Sequence, residues 1–163
     1  MKIVSNTGPL IGLAKIDCLP ILKMIASEVL IPPIVHRELL GKVGFESERI
    51  DSALDDFIRV TNLQPLEPAI KEVLVDLDEG ERQAIGLACT ISKDVLLLLD
   101  DRAGRVITEK LNIPTTGLIG ILLLAKERGI VKNIKLLVDG LRIQGYWISD
   151  KIAEIAEHLA GEK

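Results

Sequence analysis

The stretch VLLLLDDRAGR, residues 95–105, decides the reading of the fold. Five consecutive apolar residues with no alternation read as a strand buried on both faces, and such strands belong to parallel sheets covered by helices on each side. The chain leaves this strand directly onto Asp100 and Asp101. Adjacent carboxylates at the carboxyl end of a central strand repel each other unless a cation or an Arg lies between them. The local alternative is that Asp100 caps the following helix and Asp101 occupies its first turn.

Working outward, IVS after Lys2, EVLIP from Glu28 to Pro32 and FIRV from Phe57 to Val60 are runs of the same kind. Longer stretches with helical spacing separate them. Leu10, Leu13 and Ala14, then Leu19, Leu22 and Ile25, predict an early helix or helix pair broken near Pro20. Pro32-Pro33 opens a helix carrying Ile34, Val35, Leu39 and Leu40, since proline lacks only an N–H that a first turn leaves unpaired. Ala69 to Leu77 reads as another helix. Asp78-Glu79-Gly80-Glu81 then places acids where a helix dipole favours them, ahead of the apolar Ala84, Ile85, Leu87 and Ala88. Arg102 to Leu111 is a helix closed by Asn112 before Pro114, and Leu118 to Arg128 is one capped by Gly129. Amphipathic helices over Ile134 to Ile143 and Asp150 to Leu159 form the tail.

Strands alternating with helices define βαβ units, hence an α/β fold with a central parallel sheet and helices on both faces. No repeat, low-complexity segment or linker divides the chain, so residues 1–163 read as one domain with a helical tail over 132–163. At 163 residues and 48% apolar content it can bury a sizeable core. The only aromatics are Phe45, Phe57, Tyr146 and Trp147, which disfavours aromatic platforms for stacking bases. A net charge of -4 argues against gripping nucleic acid through bulk positive charge, yet is compatible with a carboxylate-rich active site. Cys18 and Cys89 lie in apolar helical surroundings outside any metal spacing and read as buried free thiols in a reducing compartment. With no signal segment and no apolar run near the roughly 20 residues of a membrane span, a cytoplasmic protein without membrane association is expected.

Ligands of such sheets bind beyond the carboxyl ends of the strands. The strand containing Val4 ends there in Asn6-Thr7, and Glu38 lies within two helical turns of the strand ending at Pro32. Glu81 opens the helix whose buried stripe is Ala84, Ile85 and Ala88. Each acid alone reads as a solvated or capping residue; convergence with Asp100 and Asp101 on one rim points instead to a hard divalent cation, which takes oxygen ligands. Held by carboxylates, such an ion acidifies a coordinated water and stabilises the charge of an in-line displacement at phosphorus, the chemistry of phosphodiester hydrolysis.

IVSNTGPLIGLAKI, IPPIVHREL, LDEGERQAIGLA and VLLLLDDRAGR, in this order and spacing, resemble a PIN-domain protein, nearest to the branch related to VapC-type toxin ribonucleases. That branch carries a DEGE…AI.LA and LDD..AR pattern, and LDDRAGR departs slightly from it. The likeness extends through TTGLIGILLLAKERG and the tail. It implies a three-layer α/β/α domain and a Mg²⁺- or Mn²⁺-dependent endoribonuclease, the toxin of a toxin–antitoxin pair. The family's metal-binding positions fall on Asn6, Glu38, Glu81 and Asp100 with Asp101, the acids serving as catalytic residues. Glu81 stands where Asp is commoner, which lengthens the arm without changing its charge. Asn6 stands where Asp is usual, which removes a charge and lowers metal affinity. The implied partners are single-stranded RNA as substrate, a small antitoxin-like protein and a second copy of the chain in a homodimer.

The remaining residues divide more evenly. Thr7 either orients a ligand, as a hydroxyl there does in similar proteins, or caps the next helix. Arg102 and Arg105 either pair with acids or contact phosphate. His36 and His158 are too far apart for a zinc pair. Tyr146-Trp147 reads mainly as folding the tail over the core or filling a dimer contact, and LIGILLLAK as core or subunit interface. A second reading of the whole chain is a weak or inactive PIN fold acting as an RNA-binding or interaction module, favoured by Asn6. A receiver or nucleotide-binding domain is disfavoured because no Gly-rich phosphate loop follows the first strand.

Overall fold

The computed structural model describes residues 1–91 and 93–162. At its centre five parallel strands, β1 (Lys2–Ser5), β2 (Glu28–Ile31), β3 (Ile58–Val60), β4 (Val95–Leu98) and β5 (Thr115–Thr116), lie in the order β3-β2-β1-β4-β5. Val4 pairs with Leu30 on one side and Leu97 on the other, which puts β1 in the middle. After β1 come α1 (Thr7–Lys15) and α2 (Pro20–Ile25), and after β2 come α3 (Pro33–Leu40) and α4 (Glu46–Asp56). The β3–β4 connection holds α5 (Pro68–Leu74) and α6 (Glu79–Ile91), and α7 (Arg102–Lys110) joins β4 to β5. The tail is α8 (Leu118–Glu127), α9 (Ile134–Ile143) and α10 (Asp150–Leu159).

Side chains along a strand alternate between faces, and here the two faces belong to two separate cores. Ile3, Val29, Ile31 and Leu98 pack with the helices that surround α1 and α8, whereas Val4, Leu30, Leu97 and Leu99 pack with α5, α6 and α7. This is the three-layer α/β/α arrangement expected from the sequence. Leu97 and Leu98 are fully buried on opposite faces, so truncating either to Ala costs about 2–5 kcal/mol.

The tail is part of the larger core. Ile134, Val138, Leu141, Ala153 and Ala156 are buried there, and the buried face of α8 is Leu118, Ile121, Leu122 and Ala125. Glu162 accepts from the backbone N–H of Ile134 at 2.7 Å and pairs with Lys126 at 2.6 Å, which pins the chain end over α9. Gly129 has φ +74, the left-handed conformation that lets α8 end there.

Several local expectations change. Pro20 does not merely break a helix; it is the first residue of α2, where proline is well suited. FIRV is not a strand buried on both faces, because Phe57 closes α4 and Arg59 and Val60 are exposed on the edge strand β3. No helix is expected from the sequence over 46–56, yet α4 forms there and buries Ile50 and Ala53, with Leu54 and Phe57 packed against the same core. Strand β5, two threonines long, is too short for any periodicity. Both cysteines are free; Cys18 is buried and Cys89 half-buried, and burial pushes both thiols upward. Among the described residues no helix is long and apolar enough to cross a membrane.

Candidate active site

The strand order turns back on itself between β1 and β4, since the chain builds outward to β2 and β3 on one side and to β5 on the other. In open parallel sheets this switch point is where the strand ends leave a crevice. Asn6 stands at its edge. Its N–H donates to the Leu98 carbonyl at 3.0 Å, extending the β1–β4 ladder by one residue. Although Asn6 occupies the N-cap of α1, its side chain makes no capping bond and stays free to face the rim.

Gly80 marks the centre of the cluster. A methyl group built on it would lie 3.1 Å from Glu38 Oε1, 3.2 Å from Asn6 Oδ1 and 3.7 Å from Asp78 Oδ1. Three oxygens from the N-cap of α1, from α3 and from the turn before α6 thus surround a space that any side chain at position 80 would enter. Asp78 is the acid that sequence reasoning left among first-turn residues. Its Oδ1 accepts from the Glu81 N–H at 3.0 Å, an N-cap bond three residues ahead of Glu81, and D-x-x-E is the sequence sign of that geometry.

Glu81 is buried, with 7% of its surface exposed, while Asp78 and Asp101 are exposed. Burial, then the negative charges of Asp78 and Asp101, push its carboxyl up to about 7, and hydrogen bonding to these two carboxyls favours its protonated form. Asp101 is held from the other side: its Oδ2 accepts from the Gly104 N–H at 3.1 Å and caps α7. A side chain at Gly104 would strike Leu99 and come within 3.7 Å of Glu81 Oε2, so a glycine there brings α7 up against the acids.

Asp100 departs from the local alternative, in which it caps the following helix. It does not cap α7, which Asp101 does, but reaches across to α8, whose first N–H, on Leu118, donates to Asp100 Oδ1 at 2.8 Å. The Tyr146 hydroxyl approaches Asp100 Oδ2 at 3.4 Å. The rim therefore has one group formed by Asn6, Glu38, Asp78, Glu81 and Asp101, with Asp100 beside it at the end of β4. Arg105 donates through Nε to the Leu99 carbonyl at 2.9 Å, and among the described residues neither Arg102 nor Arg105 forms an ion pair. Thr7 does not cap through its hydroxyl, which is buried and has no hydrogen-bond partner among the described residues. Trp147 is 86% exposed. An apolar groove of about 530 Å³ between residues 63–66, α5 and α6 lies apart from these acids.

Among the described residues no three His, Cys, Asp or Glu side chains are arranged to hold a metal ion unaided. The donors nonetheless suit a hard divalent cation: all are oxygens, an amide joins two carboxylates around the Gly80 space, and Glu81 carries a like-charge penalty that a cation relieves. Residues 2–162 match a family model described as a PIN domain, DUF3368. The chain belongs to the PIN-domain family. PIN domains are commonly nucleases and generally use divalent metals, so the acidic crevice of this PIN domain lies on a nuclease fold. No curated protein matches the chain.

Proposed function

We propose that this PIN domain is a metal-dependent endoribonuclease that hydrolyses phosphodiester bonds of single-stranded RNA, and that it is the toxin of a toxin–antitoxin pair. The observation that carries the reading is the convergence of Asn6, Glu38 and Asp78 on the Gly80 space beside a buried Glu81. Asn6, Glu38, Glu81 and Asp100 would hold Mg²⁺ or Mn²⁺, with Asp101 and Asp78 beside them. When bound, the ion supplies Lewis-acid polarisation of the phosphate and acidifies a water. Glu81, whose carboxyl is crowded by Asp78 and Asp101 in the metal-free chain, gains most from a cation that neutralises this charge. Arg102 and Arg105, exposed and without ion pairs among the described residues, supply positive charge for phosphate next to the acids. The resemblance to VapC-type toxins supports the toxin role, a small antitoxin-like partner, a homodimer and a cytoplasmic setting.

A second reading, a weak or inactive PIN fold that binds RNA or protein, has Asn6 in its favour, because an amide attracts a cation less than a carboxylate does. Incubating the purified chain with single-stranded RNA and Mn²⁺ separates the two. Wild type is expected to cleave and Glu81→Gln to lose at least about 100-fold in rate, with Asn6→Asp faster than wild type. If wild type cleaves no better than Glu81→Gln while Asn6→Asp gains activity, the natural protein is not the enzyme.

A further inference from the structure

The acids of the rim come from residues 38–101, but one of them is held by a residue in the tail. Tyr146 lies between α9 and α10, where Gly145 has φ +89 and turns the chain back toward α1. The Tyr146 hydroxyl lies 3.1 Å from the Gly8 carbonyl oxygen and 3.4 Å from Asp100 Oδ2. The single phenolic proton is shared between these two acceptors, of which the Gly8 carbonyl is the nearer and the ionised carboxylate the stronger. A phenol keeps its proton at neutral pH and therefore acts here as a donor.

The position is prepared from both sides. On α1, Gly8 and Gly12 stand one turn apart and leave a slot for the ring. A methyl group on Gly12 would strike Leu118 Cδ2 at 2.6 Å and come within 3.2 Å of Tyr146 Cε2 and 3.3 Å of Cζ. A glycine inside a helix costs about 1 kcal/mol against alanine, so this slot is kept at the expense of helix stability. The turn carrying Tyr146 is fixed as well: its N–H donates to the Leu141 carbonyl at 2.9 Å, and the Ile148 carbonyl accepts from Arg142 Nε at 3.0 Å and Nη2 at 2.6 Å. With Leu118 N–H on Oδ1 and the phenol beside Oδ2, the Asp100 carboxylate is fixed in rotation while each oxygen keeps a further lone pair.

We propose that Tyr146 is a positioning residue that orients Asp100 toward the divalent cation of the rim, so that the tail helices complete the site. The proposal rests on the metal-dependent reading above. Outer hydrogen bonds to metal-binding groups set ligand orientation, and their loss costs about 10–100-fold in affinity or activity.

The test is Mn²⁺ titration of the full chain, followed by electron paramagnetic resonance, for wild type, Tyr146→Phe, Asp100→Asn and the double variant. Tyr146→Phe keeps the ring in its slot and is expected to melt with wild type but to bind Mn²⁺ about tenfold more weakly. The double variant is expected to bind no more weakly than Asp100→Asn, a result that a purely structural role for Tyr146 does not produce. Because Tyr146 is the single tyrosine of the chain, 3-fluorotyrosine labelling gives one ¹⁹F resonance, expected to shift with Mg²⁺ in wild type and not in Asp100→Asn. Undiminished Mn²⁺ binding by Tyr146→Phe, additive losses in the double variant, or a ¹⁹F resonance indifferent to Mg²⁺ in a chain that binds Mn²⁺ overturns this proposal alone. Absence of Mn²⁺ binding by wild type overturns the metal-dependent reading together with it.

Discussion

Glu81→Gln should make the metal-free protein more stable at pH 8 and leave it nearly unchanged at pH 4. The carboxyl of Glu81 lies at about 7 in the folded chain against an ordinary 4.5, raised by burial and by Asp78 and Asp101. Between those values the folded state binds more protons than the unfolded state, so Glu81 makes stability fall as pH rises from 4.5 to about 7, after which its effect is constant. At about 1.4 kcal/mol per pH unit the full difference is roughly 3 kcal/mol, and solvent screening of the exposed Asp78 and Asp101 brings it nearer about 2 kcal/mol. For a chain of this length that is a shift of roughly 4–8 °C in melting temperature. The assay is thermal melting of wild type and Glu81→Gln from pH 4 to 8, with and without saturating Mg²⁺ or Mn²⁺. The two proteins should diverge as pH rises through the window, and the cation should raise wild type far more than the variant. Parallel melting curves at every pH would refute the argument that carboxylate crowding strains this site.

Gly80→Ala should bind Mn²⁺ at least about tenfold more weakly, because its methyl group would lie 3.1 Å from Glu38 Oε1 and 3.2 Å from Asn6 Oδ1. The same change should leave the melting temperature equal or higher, alanine being the better helix former, so metal titration and melting together separate a blocked cradle from a damaged fold. Gly12→Ala should destabilise by about 1–3 kcal/mol in chemical denaturation, since its methyl group would meet Leu118 and the Tyr146 ring; an unchanged midpoint would mean that the ring is not held there. At the chain end, burial alone would raise the Glu162 carboxyl, but Lys126 and the N–H groups of Lys135 and Ile134 outweigh it and bring it to about 2. Its stabilisation is therefore complete above pH 4.5 and fades as pH falls through about 2. Glu162→Gln should lower the melting temperature at pH 7 and lose that difference at pH 2.

The alternation of apolar runs and helical stripes was sufficient for the α/β class. A strand such as Val95 to Leu99, apolar at every position, has no water-facing side and must be covered on both faces. Where the local pattern is weaker, it does not mark the element. Helix α4 is mostly polar, with Ile50 and Ala53 its buried apolar anchors, and β5 is two residues long and owes its place to pairing with β4. Glu38, Glu81, Asp100 and Asp101 could be picked out because each follows a strand end or opens a helix. Asp78 was passed over because its capping bond to Glu81 hid its second neighbourhood around Gly80.

The sequence alone determined the layer architecture, the residue types at the rim and the neutral Asn6 among acids, because these follow from local periodicity and composition. Tertiary structure decided which acids share a space. The β1–β4 switch point draws Asn6 beside Glu38 and Asp78, and α8 and Tyr146 claim Asp100. Tyr146 and Asp100 are separated by 46 residues, so no local pattern encodes their meeting. It arises because a tail that must bury Ile134, Val138 and Leu141 against α1 and α8 carries its following turn onto the glycine face of α1.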